Sequence, residues 1–283
     1  MKTYMTLKFI LYERHGLSGG KMELLEKISR VIDYLAGKWW FYIIMYVLSF
    51  WVIPPYASRG YSFDEISKVV EVTLSHALTY RLVDMVWPSL LLHVALLVVV
   101  AALMIRGDRA SLLFDSYALI VYAILIGQGF AFTEEYGFVI LTGNVLLASL
   151  VAALWAWECM VRRNRLGGRI PDRRRLWVIP LATLAFWSPV KPVLDPYLLL
   201  KWFLAGYYGV AYCLTTPVIL SILILYYPRV NKAVMRFTAF PGLVFGIYVI
   251  LAAFFGASKW SALLHVPLVV TCAYALILSL KRD

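Results

Sequence analysis

The sequence predicts an all-α fold, a single polytopic bundle of about eight transmembrane helices with its N- and C-termini in the cytoplasm. Hydrophobic residues make up 62% of the 283 residues and charged residues only 15%, whereas soluble domains contain roughly 45–50% apolar and about 25% charged residues. Apolar runs of membrane-spanning length recur along the chain. Lys and Arg residues concentrate in alternate connecting segments, which is typical of a membrane protein with a positive cytoplasmic face.

Residues 1–38 precede the first long apolar run and are expected to form an interfacial segment on the cytoplasmic side. Their early apolar stretch is interrupted by Lys8 and is not followed by a small-residue cleavage site, so it does not indicate a signal peptide. Residues 20–36 show helical periodicity and predict an amphipathic helix lying on the membrane surface. Its apolar face comprises Leu24, Leu25, Ile28, Val31, Ile32 and Leu35.

The predicted bundle occupies residues 39–280. A span needs about 20 apolar residues, because the hydrocarbon core is about 30 Å thick and a helix rises about 1.5 Å per residue. The candidate spans are 39–56, 86–105, 111–132, 137–160, 176–191, 203–227, 237–256 and 260–280. Residues 62–83 are too charged to span, and Ser62 with Glu65 matches a capping box, so we expect a second surface helix there on the outer side.

The distribution of the 27 Lys and Arg residues sets the predicted orientation. Most of them fall in the segments that the alternation of spans places in the cytoplasm, together with both termini. The densest group follows the fourth span and includes Arg162, Arg163, Arg165, Arg173, Arg174 and Arg175. Anionic lipid is the expected partner of this arginine cluster. Nucleic acid is a less favoured partner, because no aromatic residue is interleaved with the arginines before Trp177.

The region around the fifth span is interrupted by Pro180, Pro189, Pro192 and Pro196. Either the fifth span is short, or a re-entrant segment near residues 189–205 enters from the outer side. Irregular backbone at membrane depth is tolerated where it lines a cavity, and broken helices often mark a binding site. The candidate residues of a substrate pathway are Lys191, Asp195, Lys201, Thr215 and Thr216.

Two histidines occupy similar positions in two predicted spans. The segment from Trp87 to His93 resembles the segment from Trp260 to His265, and both histidines are expected about two turns below the outer surface. Imidazoles that face each other across neighbouring helices would hold a b-type haem. The alternative is that each is a core histidine bonded to a backbone carbonyl. The Leu-His-Val sequence around each histidine resembles the start of a span in haem-handling membrane proteins of cytochrome c maturation, which implies haem as a ligand.

Gly242 and Gly246 form a small-x-x-x-small pair that predicts close packing of another helix, from the same chain or from a second subunit. The three cysteines are interpreted as packed thiols, and no metal site and no cofactor other than haem is expected. The chain contains one Gln and three Asn residues. Scarcity of these thermolabile residues predicts a thermophilic prokaryote as the source.

The functional prediction follows from the bundle and from its proline-interrupted region. No P-loop or nucleophile-elbow motif occurs, which favours a protein that is not an enzyme. We expect a permease or channel-like component of the plasma membrane. Two alternatives stay open: a non-catalytic subunit or scaffold of a larger membrane complex, with other subunits or further copies of this chain as partners, and a haem-binding electron-transfer or haem-handling protein that uses His93 and His265.

Overall fold

A computed structural model describes residues 19–189, 191–193, 195–255 and 258–280. The first 18 residues of the predicted interfacial segment 1–38 lie outside the described residues, as do two positions of the region 189–205. The described chain is mostly helical. In chain order its helices are α1 Gly19–Ala36, α2 Trp39–Val47, α3 Ile66–Ser75, α4 Arg81–Asp84, α5 Trp87–Arg106, α6 Ser111–Ile126, α7 Thr142–Val161, α8 Val178–Trp187, α9 Pro196–Ala205, α10 Tyr212–Tyr226, α11 Lys232–Ala252 and α12 Lys259–Leu280.

A small antiparallel sheet accompanies the helices. Its strands are β1 Tyr56–Ala57, β2 Phe130–Thr133 and β3 Gly137–Ile140, in the order β1-β3-β2. The prediction of helix through residues 130–132 and from residue 137 onward is therefore corrected. Gly137 has a φ of 69°, a left-handed conformation that glycine adopts without strain, and it reverses the chain between β2 and β3.

The candidate membrane spans are fewer than the eight predicted. Glu23–Ala36 and Trp39–Val52 meet at an angle of 84°, and together they are long and apolar enough to be one bent membrane span. These helices fit a membrane protein, while the count of eight and the position of the termini stay predictions. By length and composition, four helical segments of the described residues could each cross a membrane: Trp87–Gly129, Thr142–Val161, Lys232–Ala252 and Lys259–Leu280.

The segment Trp87–Gly129 doubles back on itself. The Tyr117 hydroxyl donates to the Leu92 carbonyl at 2.9 Å, whereas 25 residues of continuous helix would separate these positions by about 37 Å. Gly107, with a φ of 57°, begins the turn between α5 and α6. The segment thus consists of two antiparallel helices, at the positions where the sequence predicts separate apolar runs.

Helix α1 confirms the helix predicted at residues 20–36, and three contacts attach it to the bundle. Arg163 Nη1 donates to both carboxylate oxygens of Asp33 at 2.8 and 3.0 Å. The Trp157 indole donates to Ser29 Oγ at 3.2 Å. At the end of α1, Arg236 donates to the Ala36 carbonyl at 2.8 Å. The helix therefore packs on the ends of α7 and α11.

The surface helix predicted at residues 62–83 is divided into short pieces. A 3-10 turn at Phe63–Glu65 leads into α3, and α4 follows after a second 3-10 turn. The expected capping contact is present, since the Glu65 carboxylate accepts from the Ser62 backbone N–H at 2.8 Å and from its hydroxyl at 2.7 Å. The helix ends before Ala77, which instead forms a β-bridge with Ala131. Pairing with the sheet thus competes with continuation of the helix.

Helix α10 lies at the centre of the bundle. It packs against α6, α8, α11 and α12, and eleven of its fifteen residues are buried. Residues buried to this extent on every side of a helix are typical of a position enclosed by other helices. The bundle therefore surrounds α10, and side chains on α10 face protein.

Candidate functional site

Three neighbouring helices each contain an internal proline. Pro217 interrupts α10, Pro241 interrupts α11 and Pro267 interrupts α12, and the three helices pack against one another. A proline inside a helix lacks the N–H that would bond the carbonyl four residues earlier, and it weakens or bends the helix there. The interior of the bundle thus contains three interrupted hydrogen-bond ladders in contact.

Buried hydroxyl groups accompany these prolines. Thr215, Thr216, Thr238 and Thr271 are all buried. The hydroxyls of Thr215 and Thr271 donate to carbonyls four residues earlier in their own helices, at 2.8 and 2.7 Å. Thr216 and Thr238 instead bond to other helices. These two threonines therefore form the polar part of the interior that joins one helix to another.

Aromatic residues complete this interior from the side of α6 and α7. The Tyr122 hydroxyl lies 3.1 Å from Thr216 Oγ1, and the Trp155 indole donates to Thr238 Oγ1 at 3.2 Å. The Tyr122 and Trp155 rings stack with an interplanar angle of 11°. All of these groups are neutral donors and acceptors, and they bond one another inside the packed core.

Gln128 extends the polar interior beyond α6. Its side-chain oxygen accepts from the Tyr212 backbone N–H at 3.0 Å, and its amide donates to the Tyr80 hydroxyl at 3.4 Å. The Tyr212 hydroxyl in turn donates to the Thr238 carbonyl at 3.1 Å. A series of hydrogen bonds therefore leads from the C-terminal end of α6 into the proline-interrupted helices.

The residues predicted for a substrate pathway occupy two different environments. Thr215 and Thr216 are buried in α10, whereas Lys191, Asp195 and Lys201 are exposed. Asp195 caps α9, because its carboxylate accepts from the Tyr197 and Leu198 backbone N–H groups at 2.8 and 3.3 Å. The structure thus brings the two threonines into the interior and leaves the three charged residues at the surface.

The two predicted haem ligands lie among different neighbours. His93 is 2% exposed, its Nδ1 lies 2.8 Å from the Ser89 carbonyl oxygen, and its ring packs against Phe186 and Tyr208. His265 Nδ1 lies 2.7 Å from the Ser261 carbonyl oxygen. Each histidine thus has the backbone contact expected of a core histidine, and haem ligation stays a prediction. In the described residues, no group of three His, Cys, Asp or Glu side chains is placed to hold a metal.

Gly242 and Gly246 lie where α11 approaches α12. A Cβ atom on Gly242 would come within 2.6 Å of Cys272 Sγ, and one on Gly246 within 2.6 Å of Val269 Cγ2. Both distances are shorter than van der Waals contact, so only glycine allows the two helices to lie this close. These glycines seat a neighbouring helix of the same chain.

Members of the arginine cluster differ in their contacts. Arg163 pairs with Asp33, and Arg175 lies 3.6 Å from Asp172 with its guanidinium over the Tyr227 ring. Arg173 and Arg174 are exposed. The paired members hold the fold together, and the exposed members are available for the predicted contact with anionic lipid.

A buried acidic pair is the feature that the sequence analysis overlooked. Asp115 and Glu158 are 1% and 0% exposed. Asn164 joins them, since its backbone N–H donates to Glu158 Oε1 at 2.6 Å and its side-chain amide donates to Asp115 Oδ1 at 2.7 Å. Asn231 donates from its side chain to Glu158 Oε2 at 2.6 Å and from its backbone to Asn164 Oδ1 at 2.7 Å. Two of the three Asn residues in the chain belong to this network, and their scarcity in so apolar a chain is the signal that could have pointed to it.

Comparison of the chain with protein-family models, with curated proteins and with solved structures found no match. The chemistry of the site is therefore inferred from its own residues. They offer two kinds of environment: neutral hydroxyl and amide groups around the central helix α10, and a pair of buried carboxyl groups near the ends of α6 and α7.

Proposed function

We propose that the protein is an integral membrane permease or channel-like component of the cell membrane. The observation that carries this proposal is the hydroxyl-bearing interior where three proline-interrupted helices meet. Polar groups at membrane depth are costly and are usually functional, and broken helices supply free backbone groups to a substrate.

The chemistry of this interior indicates the class of solute. Thr216, Thr238, Tyr122 and Tyr212 present neutral donors and acceptors, and they are bonded to one another in the described conformation. A small uncharged polar solute replaces such bonds one for one as it passes. An ion would require compensating charges or a ring of oxygens. We therefore propose small uncharged polar solutes as the substrate class.

The eight-span topology with cytoplasmic termini belongs to this proposal, and two contacts of α8 support a short fifth span. Near one end of α8 the Trp177 ring packs against Tyr274, with ring centroids 5.0 Å apart. Beyond the other end the Pro189 carbonyl accepts from the Trp260 indole at 2.9 Å. Tyr274 and Trp260 are 14 residues apart on α12, or about 21 Å. Helix α8 and its flanking turns thus run beside most of α12 and do not turn back halfway.

The test is solute permeation into vesicles that contain the purified full-length protein. Stopped-flow light scattering measures the rates for glycerol and urea, with protein-free vesicles as the reference. We expect faster permeation with the protein, and a loss of most of that increase in Thr216→Val, which removes the hydroxyl at nearly constant volume. Thr73→Val is the matched control, because Thr73 is buried and bonds only to the Val69 carbonyl of α3, away from the bundle interior.

Two results would contradict the proposal. Equal permeation rates with and without protein for both solutes would show that the protein provides no pathway for them. The alternative of a non-catalytic subunit would then be favoured. A Thr216→Val rate equal to that of the wild type would show that the solute does not pass the interior of α10, even if permeation occurs.

A further inference from the structure

The acidic pair joins two segments that close one end of the bundle. Asp115 lies on α6 and Glu158 on α7, while Asn164 follows α7 and Asn231 precedes α11. The same two connecting segments are also joined directly, because the Arg165 backbone N–H donates to the Arg229 carbonyl at 2.8 Å and the Arg229 guanidinium donates to the Gly167 carbonyl at 2.9 Å. The carboxyl pair thus lies directly beneath a closed junction of two connecting segments.

The hydrogen bonds of the pair leave one oxygen atom unaccounted for. Glu158 Oε1, Glu158 Oε2 and Asp115 Oδ1 each accept from an amide N–H, whereas Asp115 Oδ2 is buried and has no hydrogen-bond partner. The ion pairs of the described chain involve neither carboxyl group. Two ionised carboxylates buried together with only neutral donors would be strongly unfavourable. A bound cation is needed at Asp115 Oδ2.

A proton fits this position better than a metal ion. The side-chain oxygens of Asn164 and Asn231 already accept backbone N–H groups, from Asn231 and Ala233. A metal ion such as Ca²⁺ takes about six to eight oxygen ligands, and the carboxyl oxygens alone cannot provide them. A proton requires only one oxygen to carry it, and the unpartnered Asp115 Oδ2 is such an oxygen.

We infer that Asp115 and Glu158 form a proton-binding site in which one proton resides on Asp115 Oδ2. The proton site itself does not depend on the proposed function. Its role, which is to couple protonation to closure of the bundle, does rest on that function. When the proton leaves to water, two adjacent negative charges repel each other and the bonds through Asn164 and Asn231 are weakened. The junction of the two connecting segments then opens, and rebinding of a proton closes it.

Other charged and titratable groups near this end have their own surroundings. Arg163 pairs with Asp33, and the Lys232 ammonium lies 5.6 Å from the centre of the Tyr227 ring. Arg162 Nε is buried without a hydrogen-bond partner in the described structure. The other charged and titratable side chains on the elements packed at this end are those of Asp108, Cys159, Arg162, Arg163, Tyr226 and Lys232.

Infrared spectroscopy of the purified full-length protein tests the proton site without any transport measurement. Exposed carboxyl groups are ionised at neutral pH, and Asp115 and Glu158 are the acidic residues buried in the described chain. We therefore expect a C=O stretching band of a protonated carboxyl group at pH 7 that shifts in D2O. The band should be lost in Asp115→Asn and shifted or lost in Glu158→Gln. The exposed Glu65→Gln is the control and should leave it unchanged.

The absence of such a band in the wild-type protein at pH 7 would overturn the inference. This test uses the wild-type protein alone, so it does not depend on whether the variants fold. Persistence of the band in folded Asp115→Asn and in folded Glu158→Gln would also overturn it. The role in coupling is measured separately, as the dependence of glycerol permeation on internal pH in vesicles, which we expect in the wild type and not in Asp115→Asn. A band without permeation supports the proton site and contradicts the permease. Permeation without a band supports the permease and contradicts the proton site.

Discussion

The indole of Trp155 donates a hydrogen bond to Thr238 Oγ1 at 3.2 Å, which joins α7 to the proline-interrupted α11. Both residues are buried. The two sides of the bundle, α6 with α7 and α10 with α11 and α12, therefore meet through a polar contact as well as through apolar packing.

Replacement of Thr238 by valine leaves the Trp155 N–H buried without an acceptor. We expect Thr238→Val to lower the free energy of unfolding by about 1 kcal/mol, the usual cost of losing one side-chain bond between membrane helices. Thr238→Ser keeps the hydroxyl and should lie closer to the wild type. Thermal unfolding in detergent, followed by circular dichroism, measures both. Equal stability of the valine and serine variants would show that the bond contributes nothing.

Addition of a methyl group at Gly242 should force α11 and α12 apart. The new Cβ would lie 2.6 Å from Cys272 Sγ, and overpacking of this kind costs about 1–3 kcal/mol. We expect Gly242→Ala to unfold at a lower temperature, and the added substitution Cys272→Ala to recover part of the loss, because the two residues are in contact.

Gly37→Ala is the control for that experiment. Its Cβ would meet only the Asp33 and Tyr34 carbonyl oxygens at 3.5 Å, which is ordinary contact. A Gly242→Ala protein as stable as Gly37→Ala, or a double variant no more stable than Gly242→Ala, would contradict the close approach of the two helices.

Helix α1 should detach more readily when its ion pair is removed. Arg163 and Asp33 are partly exposed and form a half-buried pair, so we expect Asp33→Ala to weaken the docking by about 0.5–1 kcal/mol. The consequence is faster trypsin cleavage at Lys38, measured by mass spectrometry of the purified protein. Glu23→Ala removes an exposed ion pair with Lys27 within α1 and should leave cleavage at Lys38 unchanged. Cleavage at the wild-type rate in Asp33→Ala would mean that the pair does not hold the helix.

The start of α3 should lose order at acidic pH. The hydrogen bonds from the Ser62 backbone and hydroxyl to the Glu65 carboxylate lower the pKa of Glu65 below its usual value. A lowered folded-state pKa stabilises the folded form above the unfolded pKa, about 4.3, and this contribution is lost as the pH falls through the folded pKa. We expect hydrogen exchange of residues 62–75, corrected for its intrinsic pH dependence, to accelerate below about pH 4. In Glu65→Gln this pH dependence should disappear; an unchanged profile would contradict the capping role.

The proposed orientation is tested by the accessibility of two engineered thiols. Asp64 and Arg174 are exposed on segments assigned to opposite sides of the membrane. In intact cells, a membrane-impermeant maleimide should label Asp64→Cys and not Arg174→Cys, with the wild-type protein as the background for its own three cysteines. The reverse pattern would invert the topology, and labelling of both would require a different number of spans.

Features that depend on nearby residues were predicted well from the sequence. The amphipathic pattern of residues 20–36 and the capping pair Ser62 and Glu65 are present in the structure, because helical periodicity and caps are decided within one or two turns. The positions of the long apolar helices α5, α7, α11 and α12 follow from the same local signal. Length alone misled at α8 and α9, because α8 ends at Trp187, and α9 begins at Pro196 and already ends before Gly206.

Contacts between distant residues could not be deduced in this way. Asp115 and Glu158 are 43 positions apart, and they become one site because α6 and α7 pack side by side and because Asn164 and Asn231 arrive from two separate connecting segments. Likewise Tyr56 pairs with Ile140 in the sheet, although neither short strand has a pattern that stands out. The apolar content of the chain predicts long helices that fit a membrane protein. The partners of each buried polar group are decided by packing, since an unbonded polar group in the core is costly and only the folded arrangement brings a matching group within reach.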